Sequence, residues 1–134
     1  MFNGNILGIL NVTKLKGEED GRVNILLAGN SADDKGHDGA NLTDSIMVVS
    51  LNTKDNTAFM ISIPRDLYVD YGVRSCSVGY KGKINAAYVC GEQVDFDQNG
   101  YAKGGMGLLE KVVHDNFGID INYYALVNYG AFRD

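Results

Sequence analysis

A single proline, two cysteines and no tryptophan occur in 134 residues, and only 12 basic side chains stand against 17 acidic ones. The resulting net charge of −5 excludes a general nucleic-acid surface, because that binding rests on many cations neutralising phosphates. Any phosphate site must be local. The apolar patch near the start, Ile6 to Val12, is far shorter than the roughly 20 residues that cross a bilayer. The opening stretch also lacks the basic start and small-residue cleavage site of a secretory leader. Cys76 and Cys90 either pair or remain as two small buried thiols, and their spacing does not decide between these. With 17 glycines beside the one proline, tight turns are glycine's work, and no repeat or low-complexity run interrupts the chain. A content of 45% hydrophobic and 22% charged residues suits one compact domain with a core of its own.

What is present is a sequence of apolar runs. "RVNILLAG" (22–29) is continuous and closed by glycine, as for a central strand buried on both faces. The Asp-, Asn- and Gly-rich "NSADDKGHDGANLT" that follows has no periodicity and reads as a long loop. "DSIMVVSLN" (44–52) and "TAFMISIP" (57–64) are β-rich and separated by "TKDN", a hairpin spacing. If Thr53 to Asn56 form the loop, Asn52 opposes Thr57, and counting outward sets Asp44 opposite Arg65. Pro64 then removes a ladder donor and ends the strand, so Arg65 and Asp66 leave the sheet at the hairpin's open end. "KINAAYVCG" predicts a short helix from near Ile84. "AKGGMGLLEKVVHDNFG" predicts a longer one, with an apolar stripe of Leu108, Leu109, Val112, Val113 and Phe117 and a cap at Gly118. "INYYALVN" (121–128) reads as another buried strand, and "YGAFRD" as the first turn of a further helix. Strands alternating with helices predict an α/β fold, a mixed β-sheet flanked by helices on both faces in α-β-α layers.

Asp44, Arg65 and Asp66 form the sharpest constellation, with Lys83 available from the loop after the hairpin. A diphosphate calls for these residue types: an arginine fork for two phosphate oxygens, a lysine point charge, and carboxylates for the Mg²⁺ that neutralises the rest. The plain alternative is a surface ion pair at a strand end, worth about 0 to 1 kcal/mol. The loop acids Asp33, Asp34 and Asp38 with His37 lack the spacing of a calcium loop or a zinc site and read as solvated. His114 shares a helix face with Glu110 and is expected at the surface, with no serine or cysteine nucleophile placed beside it. The glycines of "KGGMG" do not follow a strand in the pattern of a phosphate-cradling loop.

In order and spacing, "RVNILLAGN", "LTDSIMVVSLN", "FMISIPRDLYVD" and "GKINAAY", followed by "LLEKVVHDNFGIDINYYALVNYGAF", resemble the LytR-CpsA-Psr family of cell-wall glycopolymer ligases. The resemblance covers residues 22–134, a partial domain truncated at its C-terminal side, with 1–21 as a juxtamembrane-like segment. It implies a phosphotransferase that moves a glycopolymer from a polyprenyl-pyrophosphate carrier to peptidoglycan with Mg²⁺. The setting it implies is outside the cytoplasmic membrane, with a membrane anchor that is absent from this chain. By the resemblance, Asp44 is similar to the magnesium-binding aspartate and Arg65 to the arginine on the pyrophosphate. Lys83 is similar to a basic residue near the head group, and Asp66 helps hold Arg65. The polyprenyl tail is expected in an apolar tunnel between sheet and helices, lined in part by the 106–117 helix. The chain departs from the family's pattern at Leu42, where an arginine is frequent. It departs again after Gly29, where the "NSADD" run offers Asp33 as the second metal ligand, and the family's later arginine cluster lies beyond Asp134. A second class of function is a non-catalytic module that binds lipid-linked or polymeric phosphates, with a regulatory role. A DNA-binding regulator is opposed by the acidic balance and the lack of a helix-turn-helix pattern.

Overall fold

The computed structural model describes residues 21–30, 42–74 and 76–128. Strand β1 (Arg22–Asn30) is central. β2 (Thr43–Asn52) pairs with it in antiparallel register, and β3 (Thr57–Ile63) pairs with β2 in the same sense. β6 (Tyr123–Asn128) lies on the other side of β1 and runs parallel to it, so the sheet is mixed, in the order β3-β2-β1-β6. Between β3 and β6 come the short strands β4 (Tyr68–Asp70) and β5 (Lys81–Lys83), which form a separate two-stranded sheet. A 3₁₀ turn (Ile84–Ala86) then leads into helix α1 (Ala87–Gln93), and helix α2 (Gly105–Phe117) follows.

Alternation along the strands assigns the faces. Leu26 and Ala28 of β1 oppose Val48 and Ile46 of β2, which in turn oppose Ile61 and Ile63 of β3. This face packs against Leu108, Leu109, Val112 and Val113 of α2, with Ala87 and Cys90 of α1. Val23 and Ile25, on the opposite face, are also buried. The helices among the described residues cover one face; the segments 1–20, 31–41 and 129–134, with the helical turn expected at the last of these, lie outside the described residues.

The hairpin has the expected register, from Asn52 opposite Thr57 to Ile46 opposite Ile63. Its turn is built by side chains: Asn52 Oδ1 accepts from the Lys54 and Asp55 amides, and Asp55 Oδ1 accepts from Thr57 Oγ1 at 2.6 Å. α2 ends at Gly118, whose left-handed φ of 68° returns its amide to the His114 carbonyl. The glycines before it serve packing. A Cβ on Gly91 of α1 would lie 2.8 Å from the backbone of Gly104 and Gly105, so the two helices touch only because that position carries no side chain. Glu92 Oε2 accepts the Gly105 amide, and Glu110, buried, accepts that of Ala102.

Three expectations need correction. β6 is an edge strand among the described residues, with Tyr124 and Leu126 exposed rather than buried. Phe117 lies at the exposed end of the α2 stripe. Lys83 belongs to a strand, paired with Tyr68, rather than to a loop. Cys76 and Cys90 are paired in a disulfide that ties the segment between β4 and β5 to α1. Gln93 Oε1 reinforces the tie by accepting the Ser77 amide and hydroxyl at 3.0 and 2.9 Å.

Candidate active site

Three segments meet where the hairpin opens. On β2, the ladder with β1 passes from Ser45 opposite Gly29 to Thr43 opposite Asn30, which leaves Asp44 as the extra residue of a β-bulge. A bulge re-aims the side chain it carries, and the Asp44 carboxylate is left one-third exposed. On the partner strand, Pro64 ends the ladder and its carbonyl accepts the Leu67 amide at 3.1 Å. Arg65 and Asp66 are therefore the two corner residues of a turn. Their side chains diverge: Arg65 Nη1 lies 3.3 Å from Asp44 Oδ1, and Asp66 Oδ1 lies 3.2 Å from Lys83 Nζ. Asp66 thus pairs with Lys83 and not with Arg65, as adjacent residues on a turn present opposite sides.

Backbone bonds hold the four charged residues in place. The Asn85 amide donates to the Arg65 carbonyl at 3.1 Å, and the Ile84 amide donates to the Leu67 carbonyl at 2.7 Å. Thr43, fully buried, donates its hydroxyl to the Asn85 carbonyl at 3.3 Å. Asn85 so links the strand that carries Asp44 to the turn that carries Arg65. From beneath, Tyr71 donates its hydroxyl to the Lys83 carbonyl at 2.7 Å, passing under Gly82, where a Cβ would collide with it. Burial, and secondarily the neighbouring Tyr68, raise the Tyr71 pKa above its usual 10.0, which keeps this donor protonated.

The sequence-predicted residues Asp44, Arg65, Asp66 and Lys83 are thereby brought to one place. Asp33, with Asp34, His37 and Asp38, lies outside the described residues. Sequence reasoning did not single out Thr43, Asn85 and Tyr71, which position the charges; no spacing rule marks such residues, because they act through backbone carbonyls. Leu42, at the position where the resemblance implies a frequent arginine, packs against the core. His114 is at the surface as expected, within 3.4 Å of Asp115 and 3.3 Å of Asp120.

Both ion pairs are substantially exposed and weak, so their charged groups are open to exchange for other charged partners. Among the described residues no group of three His, Cys, Asp or Glu side chains could hold a metal. The oxygen donors at this strand end are of the kind Mg²⁺ would use. The ion commonly uses one or two carboxylates and completes its shell with phosphate oxygens and water, and beside Asp44 the buried Asn30 presents an amide oxygen with no partner. An open cavity of about 380 Å³ lies on the helix-covered face of the sheet, lined by Val48, Phe59, Ile61 and Ile119 among others. Its walls come from the strands and the segment after α2, whereas the α2 residues expected to line a tunnel are packed into the core. No helix among the described residues is long and apolar enough to cross a membrane.

Residues 5–134 match the model of the LytR_cpsA_psr family. The chain is 37% identical over 117 residues to the regulatory protein MsrR of Staphylococcus aureus, covering 87% of this chain and 29% of that protein. It is 37% identical over 112 residues to the polyisoprenyl-teichoic acid–peptidoglycan teichoic acid transferase TagU of Bacillus anthracis, covering 84% of this chain and 30% of that one. The chain thus spans less than a third of the length of these curated relatives. Among solved structures it is similar to the LytR-CPS2A-psr family protein YwtF (TagT) with bound octaprenyl pyrophosphate lipid. That likeness has a TM-score of 0.61 and 25% identity, over 92% of this chain and 40% of that one. B. subtilis TagV is similar with a TM-score of 0.57 and 31% identity, over 83% and 37%.

Proposed function

The chain belongs to the LytR_cpsA_psr family, and from that premise we propose that it forms part of a phosphotransferase that moves a glycopolymer from a polyprenyl-pyrophosphate carrier to peptidoglycan. The observation that carries this reading is the 3.3 Å approach of Arg65 to Asp44 at the open end of the hairpin, held by the Thr43–Asn85–Arg65 hydrogen bonds. Phosphoryl transfer asks little covalent chemistry of a protein and much positioning and charge neutralisation. Arg65 offers its fork to two diphosphate oxygens, and Lys83 adds a point charge once Asp66 releases it. Asp44, freed from Arg65, would hold Mg²⁺, which would supply Lewis-acid neutralisation of the phosphate charge. The apolar wall of Val48, Phe59, Ile61 and Ile119 is the surface on which the polyprenyl tail is expected to lie. Action outside the cytoplasmic membrane belongs to the same reading, and the Cys76–Cys90 disulfide supports it, since such bonds persist in oxidising compartments.

The test uses the intact protein with lipid-linked glycopolymer and peptidoglycan. Release of polyprenyl phosphate matched by labelling of peptidoglycan, lost in Asp44→Asn, is the expected result. A non-catalytic, regulatory module is the second reading, favoured by the description of MsrR as a regulatory protein. Tight binding of a polyprenyl-pyrophosphate analogue with no turnover by the intact protein decides for that module.

A further inference from the structure

Four basic residues, Arg65, Arg74, Lys81 and Lys83, stand against Asp66 and Asp70 in the stretch 65–83, whereas the whole chain carries a net charge of −5. Positive charge is therefore gathered around the β4–β5 ribbon. Alternation puts Tyr68, Asp70, Lys81 and Lys83 on the exposed face of that ribbon, while Val69 is buried on the other. Lys83 reaches back to Asp66. Lys81 lies two residues away from it, about 7 Å along the strand, and borders an open cleft of about 600 Å³ lined also by Asp70, Val73, Arg74 and Tyr80.

Backbone bonds hold the walls of this cleft. The Tyr71 amide donates to the Tyr80 carbonyl at 2.8 Å and the Gly79 amide to the Cys76 carbonyl at 3.0 Å, so the chain between β4 and β5 closes on itself. The Cys76–Cys90 disulfide fixes it to α1. Asp70 Oδ1 accepts the Gly72 amide at 2.8 Å, which ties that carboxylate into the wall. The cations are placed differently. Among the described residues neither Arg74 nor Lys81 has a carboxylate partner, and Lys81 lies 5.7 Å from the centroid of the Tyr80 ring, a side chain that is 59% exposed. An aromatic ring beside two unpaired cations suits an anionic saccharide: guanidinium and ammonium take phosphate oxygens, and the ring offers an apolar face to sugar C–H groups.

We propose that this cleft is a second subsite, which grips phosphate-bearing repeat units of the glycopolymer beyond the diphosphate through Arg74, Lys81 and Tyr80. The proposal rests on the phosphotransferase reading given above, which supplies the polymer but assigns no residue to it. Lys83 at the charged corner and Lys81 at the cleft share one face of the ribbon, so a polymer leaving the diphosphate meets the next cation one strand repeat away. Binding of such remote, non-reacting units helps to hold the reacting end in place, and each linked site raises the effective concentration at the other. An anionic lipid surface also attracts exposed cations. A flat surface does not enter a cleft, whereas a chain does.

The test is calorimetric binding of synthetic glycerol phosphate oligomers to the intact protein, with farnesyl diphosphate as a probe of the Asp44–Arg65 corner and dextran as an uncharged control. The double variant Arg74→Ala, Lys81→Ala should weaken oligomer binding about tenfold or more and leave farnesyl diphosphate binding and melting temperature at parental values. Arg65→Gln should show the reverse pattern, with farnesyl diphosphate binding weakened and oligomer binding kept. Added salt should weaken oligomer binding in the parent more than in the double variant. Lys81→Glu, a single exposed change, should also weaken oligomer binding and decides the matter if the double variant does not fold. Parental oligomer affinity in these cleft variants, with farnesyl diphosphate binding lost in Arg65→Gln, overturns the subsite alone. Equal affinity of the parent for dextran does the same, as does capture by phosphatidylglycerol vesicles without oligomer binding, which gives the cleft to a membrane surface. Binding of neither oligomer nor farnesyl diphosphate by the parent overturns the diphosphate reading and the subsite together.

Discussion

Removing the Asp44–Arg65 pair should cost the fold little and the reaction much. The two charges are 3.3 Å apart through a single Nη1–Oδ1 contact, with side chains 33% and 55% exposed. Coulomb attraction at that distance is about 1 kcal/mol in the dielectric of water and about 5 kcal/mol at an effective value of 20. Exposure places the pair near the lower figure, and immobilising the long arginine side chain cancels most of it. A net contribution of about 0 to 1 kcal/mol remains. A double-mutant cycle of Asp44→Asn and Arg65→Gln should therefore give a stability coupling below about 1 kcal/mol, with melting temperature falling by no more than about 4 °C. Turnover should respond differently. Losing charge-assisted hydrogen bonds to a diphosphate, each worth about 1.5 to 3 kcal/mol, lowers kcat/KM by about 10- to 150-fold per bond. Arg65→Lys, which keeps the charge but loses the fork, should fall between Arg65→Gln and the parent. The assay is thermal unfolding beside phosphate transfer, both on the intact protein. A coupling of about 3 kcal/mol or more, with transfer per folded molecule retained, would show a structural salt bridge in place of a substrate site.

Gly107→Ala, within α2, drives its Cβ into the Ala102 carbonyl and against Phe96, and should destabilise by about 3 kcal/mol from overpacking; denaturant titration checks this, and an unchanged midpoint refutes the close approach. Replacing Cys76 and Cys90 together by serine opens a link between residues 14 apart and should cost about 3 kcal/mol. Parental stability in that variant would mean that Gln93 and Tyr71 hold the β4–β5 segment unaided. For Asp115, burial pushes the pKa up, but hydrogen bonds and charge from Lys111 and His114 outweigh it and leave it below 3.8. A carboxylate lowered by folding stabilises above its unfolded pKa, and that stabilisation is lost as pH falls through the folded value. Asp115→Asn should thus be slightly less stable than the parent at neutral pH, by well under about 1 kcal/mol because the carboxylate is 43% exposed. The two curves should converge in acid, and a constant gap at all pH values refutes the assignment.

The long strands were legible in the sequence because each carries its own evidence. Alternating apolar residues and the four-residue "TKDN" loop set the register of β2 on β3, and with it the meeting of Asp44 and Arg65. β4 and β5 carry no such evidence. "YVD" and "KGK" are too short for periodicity, and they pair because Tyr71 and the disulfide hold the segment between them in place. The bulge that carries Asp44 was equally hidden, since register shifts arise between strands and leave no mark in either one. β6 is more exposed than its apolar run predicts for a related reason: such a run gives burial potential, and the sheet position that uses it is set by the rest of the chain.

The parallel seam between β1 and β6 governs how the molecule assembles. The Asn24 amide donates to the Asn122 side chain across a separation of 98 residues, and the Asn24 side chain reaches the Asp120 carbonyl. The β2–β3 hairpin, by contrast, closes over a few residues and needs nothing from downstream. Closing so long a loop is costly before its contacts repay it, and high contact order slows folding. A chain emerging N-terminus first therefore has its hairpin ready while one flank of β1 waits, hydrogen-bonding groups unpaired, for the residues near 122. During that interval the open flank is a template for any stray strand.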